Sequence, residues 1–536
     1  MIMGFGPKQK LLALGAAIVL ANLLVYGQTT SFAPVHLDEP QLVIDQWQYL
    51  KADGSYVDAF RHGAFRFGNG VFYRPVLTLS LMVDARLSGE KFDPAAFHRG
   101  NLAIHGANAL LCFALLVQLA RGTGLAAAGA LLFSLHPGLA AASGWIPGRN
   151  DSLLFTFTAL ALLFLTEAAR RRSAALFMLH LIAFFIALLT KETAVALLPL
   201  FPAWVYVFAK DLTPPGRRRL RVAAAVLCWG LSAVAYLALR MAALKDAPAI
   251  PVPGLHDLLF RAAAYAAYVF LPVGVPVFAW FQDLSLTRVA LTAAVGLLLL
   301  AAAWWRSGRK GLIPCAVAAG VLFIIPSAFS DRFLPHRLYL PVFFFTLAAT
   351  EAARAVSPAK KAAPLALAAV ALCFGGLTAQ DLRRFKNPDV FWQSVNENSP
   401  SCGEALYELG YAAQMRADFA GAQRYYLKVI AESPAILDAR NNLAIIYKKA
   451  GRYDEALMLY EEELKLAPGR AYVIGNIGNL MVAKGDCRSA VEYYKRQLVA
   501  EPGIRKTYDN LVSCLLKIGD IEAATRYQQI ALTLKD

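Results

Sequence analysis

The sequence predicts an all-α protein in two parts: a polytopic bundle of transmembrane helices over residues 1–380, then a C-terminal solenoid of paired helices. Three observations carry that prediction. Apolar runs of membrane length recur through the first part. The 536-residue chain is 58% hydrophobic with a mean hydropathy of +0.47, too apolar for one water-soluble domain. Pro400, Pro434, Pro468 and Pro502 stand 34 residues apart, a period that marks stacked two-helix units.

Eleven apolar runs fall at about 11–27, 101–120, 125–144, 152–168, 174–190, 193–209, 222–243, 289–305, 312–328, 338–353 and 362–379. A twelfth stretch, 261–281, carries Pro272 and Pro276 and reads as re-entrant or interfacial rather than as a clean span. Charge chooses between the counts. With Lys8 and Lys10 in the cytoplasm and eleven crossings, Arg121, Arg170, Arg171, Arg172, Lys210, Arg217, Arg218, Arg219 and Arg221 lie inside, with Arg306, Arg309, Lys310, Arg354, Lys360 and Lys361. The short outer loops then keep only Arg149, Lys191, Arg332 and Arg337. A crossing at 261–281 would move the last six inner charges outside, against the positive-inside bias. An odd count puts the C-terminal part outside the cytoplasm, in the periplasm if the membrane is a bacterial inner membrane.

The net charge of +16 does not point to nucleic acid. Residues 401–536 hold 18 Lys and Arg against 17 Asp and Glu, so nearly all of the excess belongs to the membrane part, where it marks loops beside lipid phosphates. Seven cysteines are scattered without a C-x-x-C pair, giving neither a zinc site nor a disulfide framework.

In the C-terminal part, smaller landmarks keep the step of the prolines: Leu409, Leu443, Ile477 and Leu511; Gly451, Gly485 and Gly519; Ala422, Ala456, Ala490 and Ala524. The period and these landmarks are those of tetratricopeptide repeats, with units at 403–436, 437–470, 471–504 and 505–536. Residues 381–402 read as a half-repeat connector, with Trp392 where the units have Tyr426, Tyr460 and Tyr494. Such landmarks pack helix on helix, and a protein partner would use the other face of each first helix.

The long outer loop, 28–100, opens with Asp38-Glu39 soon after the first span and continues into FYRPVLTLSLMVDARLSG, suited to a helix lying at the interface. The second span begins with His98, Asn101, His105 and Asn108 on one helical face, a stripe that serves either a site or interhelical hydrogen bonds, with His98 and Asn101 better placed for a site. Three clusters end spans on the same side: His136-Pro137 with GRND (Arg149, Asp151), TKET (Lys191, Glu192), and SDRFLPHRLYLP (Arg332, His336, Arg337, Tyr339). Cations gathered beside an acidic pair suit a lipid-phosphate substrate meeting a general base.

In the order LDE, YRP, FHRGNLAIHGANALL, LHP, GRND, TKET, RLYLP and trailing repeats, the chain resembles the transmembrane and tetratricopeptide-repeat family of protein O-mannosyltransferases, whose membrane body has the GT-C glycosyltransferase fold. The resemblance departs from the family at His336 and at Ala141 and Ala142, where relatives often carry acidic residues. It retains the first apolar run as a span, although Ser31-Phe32-Ala33 could end a cleavable signal. It implies an inverting transferase that moves mannose or a related hexose from a polyprenyl phosphate to Ser or Thr hydroxyls of exported proteins. Asp38 would be the base, with Glu39 positioning it. Arg337, then Arg74, Arg149 and Lys191, would hold the lipid phosphate. His98, Asn101, His105, Glu192, His336 and Tyr339 would line the donor or acceptor pocket. No cofactor is required and no metal site is expected, although some GT-C enzymes use a divalent ion. The partners are the lipid-linked sugar, membrane lipids and an exported protein recruited by the repeats. A lipid or cell-surface glycan as acceptor, or a non-enzymatic membrane scaffold for envelope assembly, are the competing expectations.

Overall fold

The computed structural model describes residues 6–52, 55–65, 72–120, 122–209, 215–244, 252–306, 311–356 and 362–534. Arg121, Lys210, Arg309, Lys310, Lys360 and Lys361 of the charge count lie outside them. The chain is all-α apart from one two-residue strand pair, and it divides into two compact units, Met1–Ser399 and Pro400–Asp536.

In the first unit, α1 (Pro7–Tyr26) leads through the outer loop, with α2 (Trp47–Lys51), α3 (Ser55–Asp58) and α4 (Pro75–Leu87), into α5 (Pro94–Ala120). Then come α6 (Thr123–Ser134), α7 (Ala140–Gly144), α8 (Arg149–Arg171), α9 (Ala174–Thr190), α10 (Leu197–Ala209), α11 (Pro215–Ala243) and α12 (Leu255–Phe270). Strand β1 (Ala279–Trp280) precedes α13 (Leu286–Arg306) and α14 (Leu312–Ala328); strand β2 (Arg332–Phe333) precedes α15 (Tyr339–Val356), α16 (Ala362–Leu382) and α17 (Pro388–Asn398). All eleven apolar runs are helical. Among the described residues, five helical segments are long and apolar enough to cross a bilayer: Pro7–Ser31, Pro94–Leu119, Ile146–Arg171, Val222–Ala243 and Ala362–Phe385. The run at 125–144 is broken, its halves bent by 54°, because Pro137 has no N–H to continue α6 and the Gly138 N–H turns instead to the His136 ring at 3.1 Å. Others, such as Ala174–Thr190 and Leu312–Ala328, have 17 residues and reach only about 25 Å at 1.5 Å per residue.

The 261–281 stretch does not continue as one helix. Helix α12 stops at Phe270, just before Pro272, and the chain returns through β1, which pairs antiparallel with β2 in the register Ala279 to Phe333 and Trp280 to Arg332. Helix α17, expected as a connector, belongs to the first unit: Phe391 packs on Phe385 with rings 5.6 Å apart, and Ser399 Oγ accepts from the Trp280 N–H at 3.0 Å.

The second unit is four helix pairs: α18 (Gly403–Met415) with α19 (Phe419–Glu432), α20 (Asp438–Lys449) with α21 (Tyr453–Leu466), α22 (Ala471–Ala483) with α23 (Cys487–Ala500), and α24 (Arg505–Lys517) with α25 (Ile521–Thr533). The landmark Leu and Ala residues and Tyr426, Tyr460 and Tyr494 are buried between the helices. Gly451, Gly485 and Gly519 have positive φ, the left-handed conformation that ends the first helix of a pair and is cheapest for glycine.

Candidate active site

Past α1 the chain turns at His36, a non-glycine residue at φ +62, and this turn sends the two acidic side chains in different directions. Glu39 is 1% exposed, and its carboxylate accepts from the Leu37 N–H at 3.1 Å and the Val35 N–H at 3.5 Å, closing the turn on itself. Burial pushes its carboxyl up to about 7, against the pull of those backbone bonds. Asp38 stays partly exposed. Burial raises its pKa as well, while the positive charges of Arg74, Arg332 and Arg337 draw it back down. Three cations from two distant segments, Arg74 from one and Arg332 with Arg337 from the other, therefore act on one carboxylate.

Each cation has its own support. Arg74 begins α4 and grips Glu192 with Nε at 3.2 Å and Nη2 at 2.7 Å, its guanidinium lying 4.1 Å from the centre of the Phe72 ring. A two-point contact fixes both position and plane. Arg332 sits in β2 and stacks over the rings of Trp280 and Phe278, 4.7 and 5.4 Å from their centres. Arg337 donates to the Ser327 carbonyl at 3.2 Å and makes no ion pair among the described residues.

Behind this group, Lys191 donates to both oxygens of Asp151 at 2.8 Å, with both groups buried. His336 Nε2 lies 3.8 Å from Asp151, and its ring centre is 5.1 Å from that of Trp145. Burial, then the charges of Lys191, Arg337 and Arg74, hold His336 well below its usual pKa, so it is neutral.

Arg149 is placed differently from the expectation. It is 1% exposed, paired with Asp84, and donates to Asn101 Oδ1 at 2.7 Å, the Phe97 carbonyl at 2.6 Å and the Ser80 carbonyl at 3.3 Å. Its donors point into the protein, so it braces α4, α5 and α8 and is not turned to a lipid phosphate. Gly148 makes this possible: a Cβ there would come within 2.5 Å of the Ala141 carbonyl oxygen. Asn101 is equally committed, bonded to Arg149 and to the Trp145 carbonyl at 3.0 Å.

Nor do His105 and Tyr339 line an open pocket. The Tyr339 hydroxyl donates to His105 Nδ1 at 2.7 Å and accepts from Asn108 at 3.1 Å, while His105 Nε2 donates to the Ser134 carbonyl at 2.9 Å. This is a latch between α5, α6 and α15, every member bonded and buried. His98 is the opposite case. It is buried beside Phe32, and neither ring nitrogen has a partner among the described residues, as is also true of Ser143 Oγ, whereas the Trp145 indole meets the Glu39 carboxylate. Arg332 and Trp145 were not among the predicted site residues. Arg332 was visible in the same SDRFLPHRL segment, but a two-residue strand pair leaves no periodic signal to pick it out. Among the described residues no three His, Cys, Asp or Glu side chains are grouped to hold a metal ion.

The tetratricopeptide-repeat family model matches residues 435–498. No curated protein matches the chain. Among solved structures, the chain is similar to MamA 41-end from Desulfovibrio magneticus RS-1, at 18% identity over 30% of this chain and 89% of that one, with a TM-score of 0.26. It is also similar to MamA of AMB-1, at 19% identity over 25% of this chain and 72% of that one, with a TM-score of 0.23. What the comparisons and the helix pairs together identify is the C-terminal unit, a stack of tetratricopeptide repeats.

Proposed function

We propose that this chain is a membrane glycosyltransferase of the GT-C kind, which transfers mannose or a related hexose from a polyprenyl phosphate to Ser or Thr hydroxyls of exported proteins. The observation that carries the reading is the partly exposed Asp38 with Arg74, Arg332 and Arg337 drawn around it. The acceptor hydroxyl oxygen forms a bond to the anomeric carbon as the carbon's bond to phosphate breaks. The hydroxyl proton passes to Asp38, and the leaving phosphate gains one negative charge, which the arginines stabilise without a general acid. Attack from the face opposite the phosphate inverts the anomeric centre. Glu39, locked by its own backbone, sets the turn that presents Asp38. His98 and Ser143 supply unpaired polar atoms for sugar hydroxyls.

Eleven crossings, with the N-terminus in the cytoplasm of a bacterial inner membrane, place Asp38 and the repeats on the outer side. The repeats, a fold that generally mediates protein interactions, recruit the exported acceptor. The test is Asp38→Asn as the sole copy, with mass spectrometry of exported proteins. Loss of hexose from Ser and Thr, by roughly 100-fold or more in rate, is expected. Modification at the normal level would remove Asp38 as the base, and a protein that never alters exported glycans would be a scaffold.

A further inference from the structure

Helix α18 of the first repeat has two unlike faces. Leu406, Leu409, Gly410 and Ala413 are buried in the stack, whereas Tyr407, Glu408, Tyr411 and Met415 form a stripe on the other side at helical spacing. Met415 is 68% exposed and Tyr411 44%, so this face is open and partly apolar. The Tyr407 and Tyr426 rings lie 6.0 Å apart, and Asn442 of the next repeat donates to both hydroxyls, at 3.2 and 3.3 Å, fixing the two rings in place. Tyr426 in turn donates to Gln414 at 3.0 Å.

Glu408 stands among these rings and makes no hydrogen bond or ion pair among the described residues. Burial alone pushes its carboxyl up to about 7, with no cation near enough to pull it back. That contrasts with Glu463, a fully buried acid of the stack, which is bonded to Arg470 at 2.9 Å. A carboxylate that has lost water without gaining a partner, set beside electron-rich ring faces, is complementary to one kind of group: an organic cation on a flexible apolar stem.

We propose that Tyr407, Glu408 and Tyr411, backed by the buried Tyr426, form a receptor for a Lys or Arg side chain of a bound polypeptide. This rests on the reading of the repeats as an acceptor-recruiting module and gives that acceptor a chemical signature, a basic residue near the modified segment. The carboxylate takes the charge, the tyrosine rings flank the cation, and Met415 covers the alkyl stem.

The test uses the full-length protein in nanodiscs and fluorescent Gly-Ser peptides that differ only in a central Lys, norleucine or Glu, read by anisotropy without any sugar donor. The Lys peptide is expected to bind at least about tenfold tighter than the Glu peptide, in line with one desolvated cation and ring contact. Glu408→Lys should invert that order, Glu408→Gln should abolish the preference, and Tyr411→Ala should weaken the Lys peptide several-fold, all with the parent's melting curve. Equal binding of the Lys and Glu peptides, no binding of either, or a preference that survives both Glu408 variants would overturn the proposal. The outcome is separable from the enzymatic reading. Asp38→Asn should keep the Lys preference while losing transfer, and a lost preference with intact transfer would refute only the receptor.

Discussion

The corner at Arg149 and the corner at Arg337 look alike in the sequence, each an arginine at the end of an apolar run on the same side of the chain. In the structure they do opposite work. Arg149 spends its donors on Asp84, Asn101, Phe97 and Ser80 and is sealed from solvent. Arg337 donates to the Ser327 carbonyl, also meets the Tyr265 hydroxyl, stays partly exposed, and its charge acts on Asp38. The difference lies in what the neighbouring chain offers: carbonyls and a carboxylate in the first corner, a carbonyl and a tyrosine hydroxyl but no carboxylate in the second. An arginine sealed from solvent with its donors spent inside the fold cannot reach a phosphate, and one left partly exposed can.

The sharpest way to break this comparison is Arg149→Ala. It strands Asp84 as a buried, unpaired carboxylate and should cost about 3–5 kcal/mol, seen as a collapse in melting temperature and detergent yield. A variant that folds normally would mean that the corner is not a brace. Next comes Glu39→Gln. A carboxyl held at about 7 in the fold and near 4.5 when unfolded stabilises the fold relatively below the unfolded value, and that advantage is lost as pH rises through 7. Between about pH 4.5 and 7 wild-type stability should therefore fall by on the order of 3 kcal/mol more than that of the Gln variant, which keeps only the slope of other raised carboxyls such as Glu408. Melting curves at a series of pH values decide it. Arg337→Ala should leave the melting temperature close to the parent's and lower transfer by about 100-fold, as expected for removal of one charge-stabilising donor. If instead it melts early and transfers normally, the two corners have been assigned the wrong way round. The smallest effect is Tyr339→Phe, which removes one member of the latch with His105 and Asn108 and should cost about 1 kcal/mol in stability with little change in transfer.

Much of this was legible in one sequence because it is local. Hydropathy finds a helix wherever an apolar run is long enough, and all eleven runs are helical. The 34-residue step finds the repeats because each unit meets only its neighbours. Asp38 was legible through its position after α1. What escaped depends on meetings across long separations. Tyr339 bonds to His105 across 234 positions, and Arg74 to Glu192 across 118. The stripe from His98 to Asn108 left two uses open, and the structure splits it: Asn101, His105 and Asn108 are bonded between elements, and His98 alone keeps its nitrogens unpaired. The broken run at 125–144 had its cause in plain view at Pro137, but only the competing bond from Gly138 turns a proline into a 54° bend.

The bridge between Arg74 and Glu192 has a consequence for anyone exchanging parts between related chains. It ties the loop that carries Asp38's neighbours to the start of a helix far along the chain, and its two ends are of opposite sign. A graft of residues 32–93 from a relative lacking the arginine would strip Glu192 of its two-point partner and leave a partly buried carboxylate with only Lys191 to offset it. Such a chimera would need the distant glutamate changed in the same step, so the two positions make up one heritable unit.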